Sequence, residues 1–294
     1  MTQSAFTANL ASGTLPNGSG WVIAESGQGG AIYAGTNATV NGLRTIIDAN
    51  VVLGATTADG VDSGGGGICN HGKVTLVECE LRNNRVSALT IQASHAKGGA
   101  ILNSGTLVLS ATTLADNLAE GESSMWSGAL PGPGSGGGIY NEAMLACTNT
   151  TFATNEARGG RPLACFNVCN GEEGRGGALN NAAGTVLLTH VTFAGNRAVG
   201  GAPFRGPPIG KYGEALGGAI YTTNGTITLK NSLLAHGSSG TNCVGNVVDA
   251  GHNISSDGSC QFTATGSLNN TDPKVSPLDD FGGPTRTVAL LSGS

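Results

Sequence analysis

GGAILNSGTLVLSATTLADN at 98–117, GGGIYNEAMLACTNTTFATN at 136–155 and GGALNNAAGTVLLTHVTFAGN at 176–196 are one sentence written three times. Each opens on two glycines, a small residue and a branched aliphatic. It then makes a short turn, runs through an alternating stretch and closes on Asn. Looser copies begin GGAIYAG at 29, GGGICNHG at 65 and GGAIYTTNG at 217. Successive first glycines lie 36, 33, 38, 40 and 41 residues apart. Self-similarity at such a period signals stacked units that bury their apolar faces only against their neighbours. Three short strands per unit, period-two alternation and no helical pattern predict an all-β, right-handed, single-stranded parallel β-helix. Six coils at roughly 4.8 Å each make a column about 30 Å long.

Composition agrees and excludes the competitors. Fifty glycines with no three-residue period rule out collagen. Charged residues are 11% of the chain and the net charge is only −5, which does not fit disorder. Gly, Thr, Asn and Ser dominate where a helical protein would use Leu, Glu and Lys. No cluster of Lys or Arg is present to neutralise phosphates, so a nucleic-acid partner is not expected. No stretch is long and apolar enough for a membrane span. The opening MTQSAFTANLASG lacks the charge and apolar run of a secretory leader.

Alternation assigns three inward columns: Leu76, Leu109, Cys147 and Leu188; Leu81, Leu114, Phe152 and Phe193; and Ile32, Ile68, Ile101, Ile139, Leu179 and Ile220. A fourth column, Asn50, Asn84, Asn117, Asn155 and Asn196, marks one corner. Asn tolerates left-handed backbone and bonds its neighbours, so stacked amides can tie successive corners together. A catalytic Asn is the competing reading, and five repetitions favour the structural one. Spacing varies almost entirely after this Asn, which places long loops at that single corner, about 118–135, 156–175 and 197–216. Residues 1–28 read as a partial coil or cap around Trp21-Val22-Ile23. Residues 29–237 read as the coils and 238–294 as the C-terminal coil and cap, since a solenoid needs atypical ends.

With its GG(A/G)I repeats the chain resembles bacterial right-handed β-helix proteins of the polymorphic-outer-membrane-protein type. The tail resembles their choice-of-anchor ending through Asn242-Cys243, Gly251-His252-Asn253, Cys260, Asp272-Pro273, Pro277-Leu278 and Gly282-Gly283-Pro284-Thr285. The likeness spans about 29–294. It implies an exported or surface-attached module whose sorting signal lies further along, and it implies a Cys243–Cys260 pair, the two residues that flank the terminal loop. Pectin-lyase-like enzymes acting on acidic polysaccharides belong to the wider class, but no residue set here matches theirs.

The other cysteines divide by position. Cys165 and Cys169 lie in one corner loop and can close on each other; a metal site is the alternative, with three intervening residues and no histidine. Cys147 and Cys79 read as core, while Cys69 alternates outward and reads as a free thiol. His95, His190 and His236 fall on different coils or positions, so no metal site is expected. No cofactor motif is present either, because GGGG at 64–67 lacks the following Lys-Ser/Thr.

Chemistry has two candidate places. On the first coils, Asp48 falls beside Arg82 and Arg44 beside Glu78, with Glu80 near Arg82. These are either cross-strand ion pairs or an acid pair, Glu78 and Glu80, with an arginine orienting a sugar. The corner loops carry Trp126, Phe166, Phe204, Tyr212, Arg161 and Arg205 as candidate ligand contacts, and Glu172 and Glu173 as further candidate acids. Either the aromatics pack their own loops or they form a ragged wall that binds a polysaccharide or a cell-surface protein. The first function expected is therefore an exported binding module, in monomeric form. The second is a polysaccharide lyase or hydrolase with a groove between a sheet face and the loops.

Overall fold

The computed structural model describes residues 2–12, 27–54, 62–88, 94–124, 130–165, 170–206, 210–235 and 237–294. Among them there is no helix, and parallel strands stack into a β-solenoid of about five turns. The third coil shows the plan. The return strand Ala96–Lys97 leads to the glycine strand Ile101–Asn103, the middle strand Thr106–Ser110, the asparagine strand Thr113–Ala115 and the exit strand Leu118–Glu120. The glycine, middle and asparagine strands are the three that alternation predicts. Exit and return strands flank the corner loop on either side. At two or three residues they are too short to carry a period, so sequence reading merges them with the loops.

Register places the columns as expected. Leu76, Leu109, Cys147 and Leu188 pair in series, as do Leu81, Leu114, Phe152 and Phe193. Phe152 and Phe193 stack with ring centroids 4.9 Å apart. The double glycine has two separate causes. The first, as at Gly98 and Gly136, turns through positive φ. A Cβ on the second would strike the next coil: at Gly99 it would sit 2.2 Å from the Gly137 carbonyl oxygen.

The Asn column is a continuous buried ladder. Each Nδ2 donates to the Oδ1 one coil on, 2.9 Å from Asn50 to Asn84, 3.0 Å to Asn117, 2.8 Å to Asn155 and 2.9 Å to Asn196. Each Oδ1 also accepts from the backbone N–H of the preceding ladder residue. The left-handed residue at this corner is not the Asn, as expected, but the one before it: Ala49, Asn83, Asp116 and Thr154 all have φ between 54° and 57°. A second amide ladder, Asn70, Asn103, Asn141 and Asn181, holds the corner after the glycine strand. Its signal is the Asn two residues beyond the branched aliphatic in the four middle repeats.

The ends differ from the middle. Ala5–Thr7 and Leu10–Ser12 stack on the first coil as a half-turn, and Asn9 begins the ladder on Asn50. Trp21, Val22 and Ile23, expected to form a cap, lie outside the described residues. Beyond 237 the chain closes the column with a Cys243–Cys260 disulfide and the buried ring of Phe262. It then returns. Residues 275–290 form an antiparallel pair of arms, bridged at Val275–Leu290 and Asp279–Thr287, lying on the outer face of the asparagine strands. Thr113 gives its hydroxyl proton to the Arg286 carbonyl, Thr151 meets the Thr287 hydroxyl at 3.1 Å, and Thr285 donates to the Ala111 carbonyl. This face is a trough of Thr113, Thr151, Ala115 and Ala153, all buried although they point outward. Small side chains there let a second layer of backbone lie flush.

Candidate functional site

The corner loops are not ragged at their base. Outgoing and returning arms interleave in one series of backbone hydrogen bonds. Gly132 donates to Glu122, Gly160 to Gly132, Glu172 to Gly160, Gly201 to Glu172 and Gly213 to Gly201. Glycine is required because the arms lie backbone on backbone. A Cβ at Gly160 would fall 1.5 Å from the Glu122 oxygen, and one at Gly201 1.9 Å from the Gly160 oxygen. The expected ragged wall therefore stands on an ordered layer.

Beside this layer the exit strands carry a charge network that sequence reading assigned to loops. Glu120 takes Arg85 and, at 3.4 Å, Arg158; Glu156 takes Arg158 at 2.6 Å and Arg197 at 2.5 Å. Register makes these contacts, because Ser87–Glu120–Arg158 and Leu118–Glu156–Arg197 are successive neighbours across the sheet. Three guanidinium groups thus share two carboxylates. The network opens into a groove of about 490 Å³, whose far wall is Arg161, Tyr212 and the backbone of Gly200 and Gly201. Tyr212 is 73% exposed. Arg161 is exposed and carries no ion pair among the described residues. Two of the candidate ligand contacts therefore meet in one groove. Of the others, Phe204 is half-buried and Arg205 exposed on the third loop. Trp126 and Phe166 lie outside the described residues.

The charged patch of the first coils has the expected pairs. Arg82 reaches Asp48 at 3.1 Å and Arg44 reaches Glu78 at 2.6 Å. Glu78 sits on a left-handed corner, φ 52°, rather than along a strand, and the intervening Cys79 is buried. Glu80 has a partner that no local pattern announces. The Arg286 Nε of the returning tail donates to its carboxylate at 2.5 Å, leaving the Glu80 side chain 11% exposed. Glu173 pairs with Arg175 at 2.6 Å. The carboxyl of Glu172 is held above the usual range, chiefly by burial and further by the charge of Glu173.

Cys69 is a free thiol, as expected. It points outward, but it is fully buried, 3.3 Å from His71 Nε2, and burial pushes its thiol up to about 12. It is not a ready nucleophile. Cys79 and Cys147 are buried with raised thiols, as core positions should be. Cys165 is disulfide-bonded; its expected partner Cys169 lies outside the described residues, as does His236. No group of three or more His, Cys, Asp and Glu among the described residues could hold a metal ion, and no helix among them is long and apolar enough to cross a membrane. Comparison with family models, curated proteins and solved structures finds no match.

Proposed function

We infer that this solenoid is an exported or cell-surface binding module that holds a glycan or protein partner in its loop groove. The observation that carries the reading is the convergence of Arg161 and Tyr212 on a groove also lined by the paired Glu120 and Arg158. An exposed ring beside fixed donors and acceptors offers an apolar platform together with directional hydrogen bonds. The base beneath is rigid, so little ordering opposes binding. The repeat and tail motifs that resemble polymorphic-outer-membrane-protein-like and choice-of-anchor proteins support the surface location, and so does the Cys243–Cys260 disulfide.

A glycan array probed with wild type and with an Arg161→Ala, Tyr212→Ala double variant tests this. The expected result is a selective signal that falls about tenfold in the variant. An array without signal would move the reading to a protein partner, and a signal unchanged in the variant would remove the groove from it. One observation favours the second reading, polysaccharide cleavage. Burial shifts the Glu172 carboxyl upward, the direction a general acid requires. Glu78 and Glu80, by contrast, are each engaged by an arginine. Product release from a polysaccharide panel that is lost with Glu172→Gln would establish cleavage.

A further inference from the structure

The chain has four tyrosines, and three of them occupy one register column. Along the outward position of the glycine strands the order is Tyr33, Cys69, Leu102, Tyr140, Asn180 and Tyr221. This column lies on the sheet that follows the loops' returning arms, apart from the loop groove. Tyr33 is 58% exposed; Tyr140 and Tyr221 are half-buried. Chance placement over a chain this poor in aromatics would scatter them.

Polar groups sit between the rings. Lys97 Nζ stands 5.0 Å over the Tyr140 ring, 2.7 Å from Asp62 and 3.8 Å from Glu142. Ser104 donates to Glu142 at 2.7 Å. Between Tyr140 and Tyr221, Asn180 is 3% exposed, and its Oδ1 has no hydrogen-bond partner among the described residues.

We propose that this column is a second binding site, a track for an uncharged polysaccharide lying along the solenoid axis. Flat rings with a polar edge suit the alternating apolar faces and hydroxyl rims of pyranose units. Tyr33 and Tyr221 are five coils apart, about 24 Å at the spacing of parallel strands, a distance an extended hexasaccharide can span. Tyr33 and Tyr221 supply the platforms. Glu142 accepts from hydroxyls, and Lys97 donates. The charge balance selects a neutral ligand. Lys97 is already shared by two carboxylates, and neighbouring Arg175 is taken by Glu173, so no cation is left to recruit an acidic sugar.

The test is calorimetric titration of cellohexaose, hexa-N-acetylchitohexaose and a hexauronate into the wild type, into Tyr33→Ala and Tyr221→Ala, and into the Arg161→Ala, Tyr212→Ala double variant. Thermal unfolding confirms that each variant folds. One uncharged hexasaccharide is expected to bind, about tenfold more weakly to Tyr33→Ala and to Tyr221→Ala, and unchanged with the loop-groove variant. Four results would overturn the track: no uncharged hexasaccharide binds, the hexauronate binds most tightly, binding survives both tyrosine substitutions, or binding is lost only in the loop-groove variant. The last leaves the loop groove standing without the track.

Discussion

At the scale of single residues, the Asn ladder concentrates more consequence than any apolar side chain. The side chain of Asn117 makes four hydrogen bonds in a buried corner. Its Nδ2 donates to Asn155 Oδ1 at 2.8 Å and to the Leu81 carbonyl at 3.0 Å. Its Oδ1 accepts from the Asn84 amide and side chain, both at 3.0 Å. Truncation leaves those partners desolvated and unpaired, at about 1–3 kcal/mol for each group not rescued by water. Asn117→Ala is therefore expected to lower the unfolding midpoint by at least about 5 °C. Asn117→Asp should do the same, because it loses the donor to Leu81 and buries a carboxylate. Asn50→Ala, one coil from the open end where a single half-turn is stacked, should cost less. Equal midpoints for Asn117→Ala and wild type, by differential scanning calorimetry, would refute the ladder as a source of stability.

At the scale of elements, the glycine layer under the loops separates the wall from the column. The coils are fixed by their own ladders and inward stacks, while the loop bases depend on arms that only glycine lets approach. Gly160→Ala is expected to break the layer, since its Cβ would overlap the Glu122 carbonyl, and to leave the coils folded. Limited trypsin digestion should then cut at Arg205 and Lys211 about tenfold faster, with the thermal midpoint lowered by less than about 3 °C. Unchanged digestion would show that the arms have another support. The coils were readable from sequence because each side chain repeats its environment in every unit, so Leu109 and Phe152 announce their columns by alignment alone. The exit strands were not readable, because Leu118–Glu120 is too short to show a period and is followed by chain of variable length. Arg158 and Arg197 consequently looked like loop residues rather than sheet neighbours of Glu120 and Glu156. The contact of Arg286 with Glu80 spans 206 residues and occurs once, and a unique pairing leaves no trace in a repeat.

At the scale of the whole molecule, the column and its closure are held by different chemistry. The coils rest on amide ladders and apolar stacks that do not titrate in ordinary acid. The closure is organised by two carboxylates. Asp249 accepts from the backbone of Thr263 and Ala264 at 2.8 and 2.7 Å, and from Ser267 and Asn253. Asp257 accepts from Asn242, Ser259 and Ser255. Burial alone would raise both groups, but these hydrogen bonds outweigh it and hold both below the usual Asp range. A depressed folded value means that ionisation stabilises the closure above the unfolded value, near about 4, and that this stability is lost as pH falls through the folded value. Acid should therefore loosen the C-terminal end first, and the returning tail with it, because 272–294 leave directly from that end. In a terminally capped repeat such loosening need not spread inward at once. Digestion with pepsin between about pH 2 and 4, mapped by mass spectrometry, should place the first cuts within 237–294, at the lowest pH, while 94–124 and 130–165 remain intact. Asp249→Asn should remove most of the pH dependence by giving the same early cuts at pH 4. First cuts inside the coils, or a pattern independent of pH across this range, would mean that the carboxylates do not hold the closure.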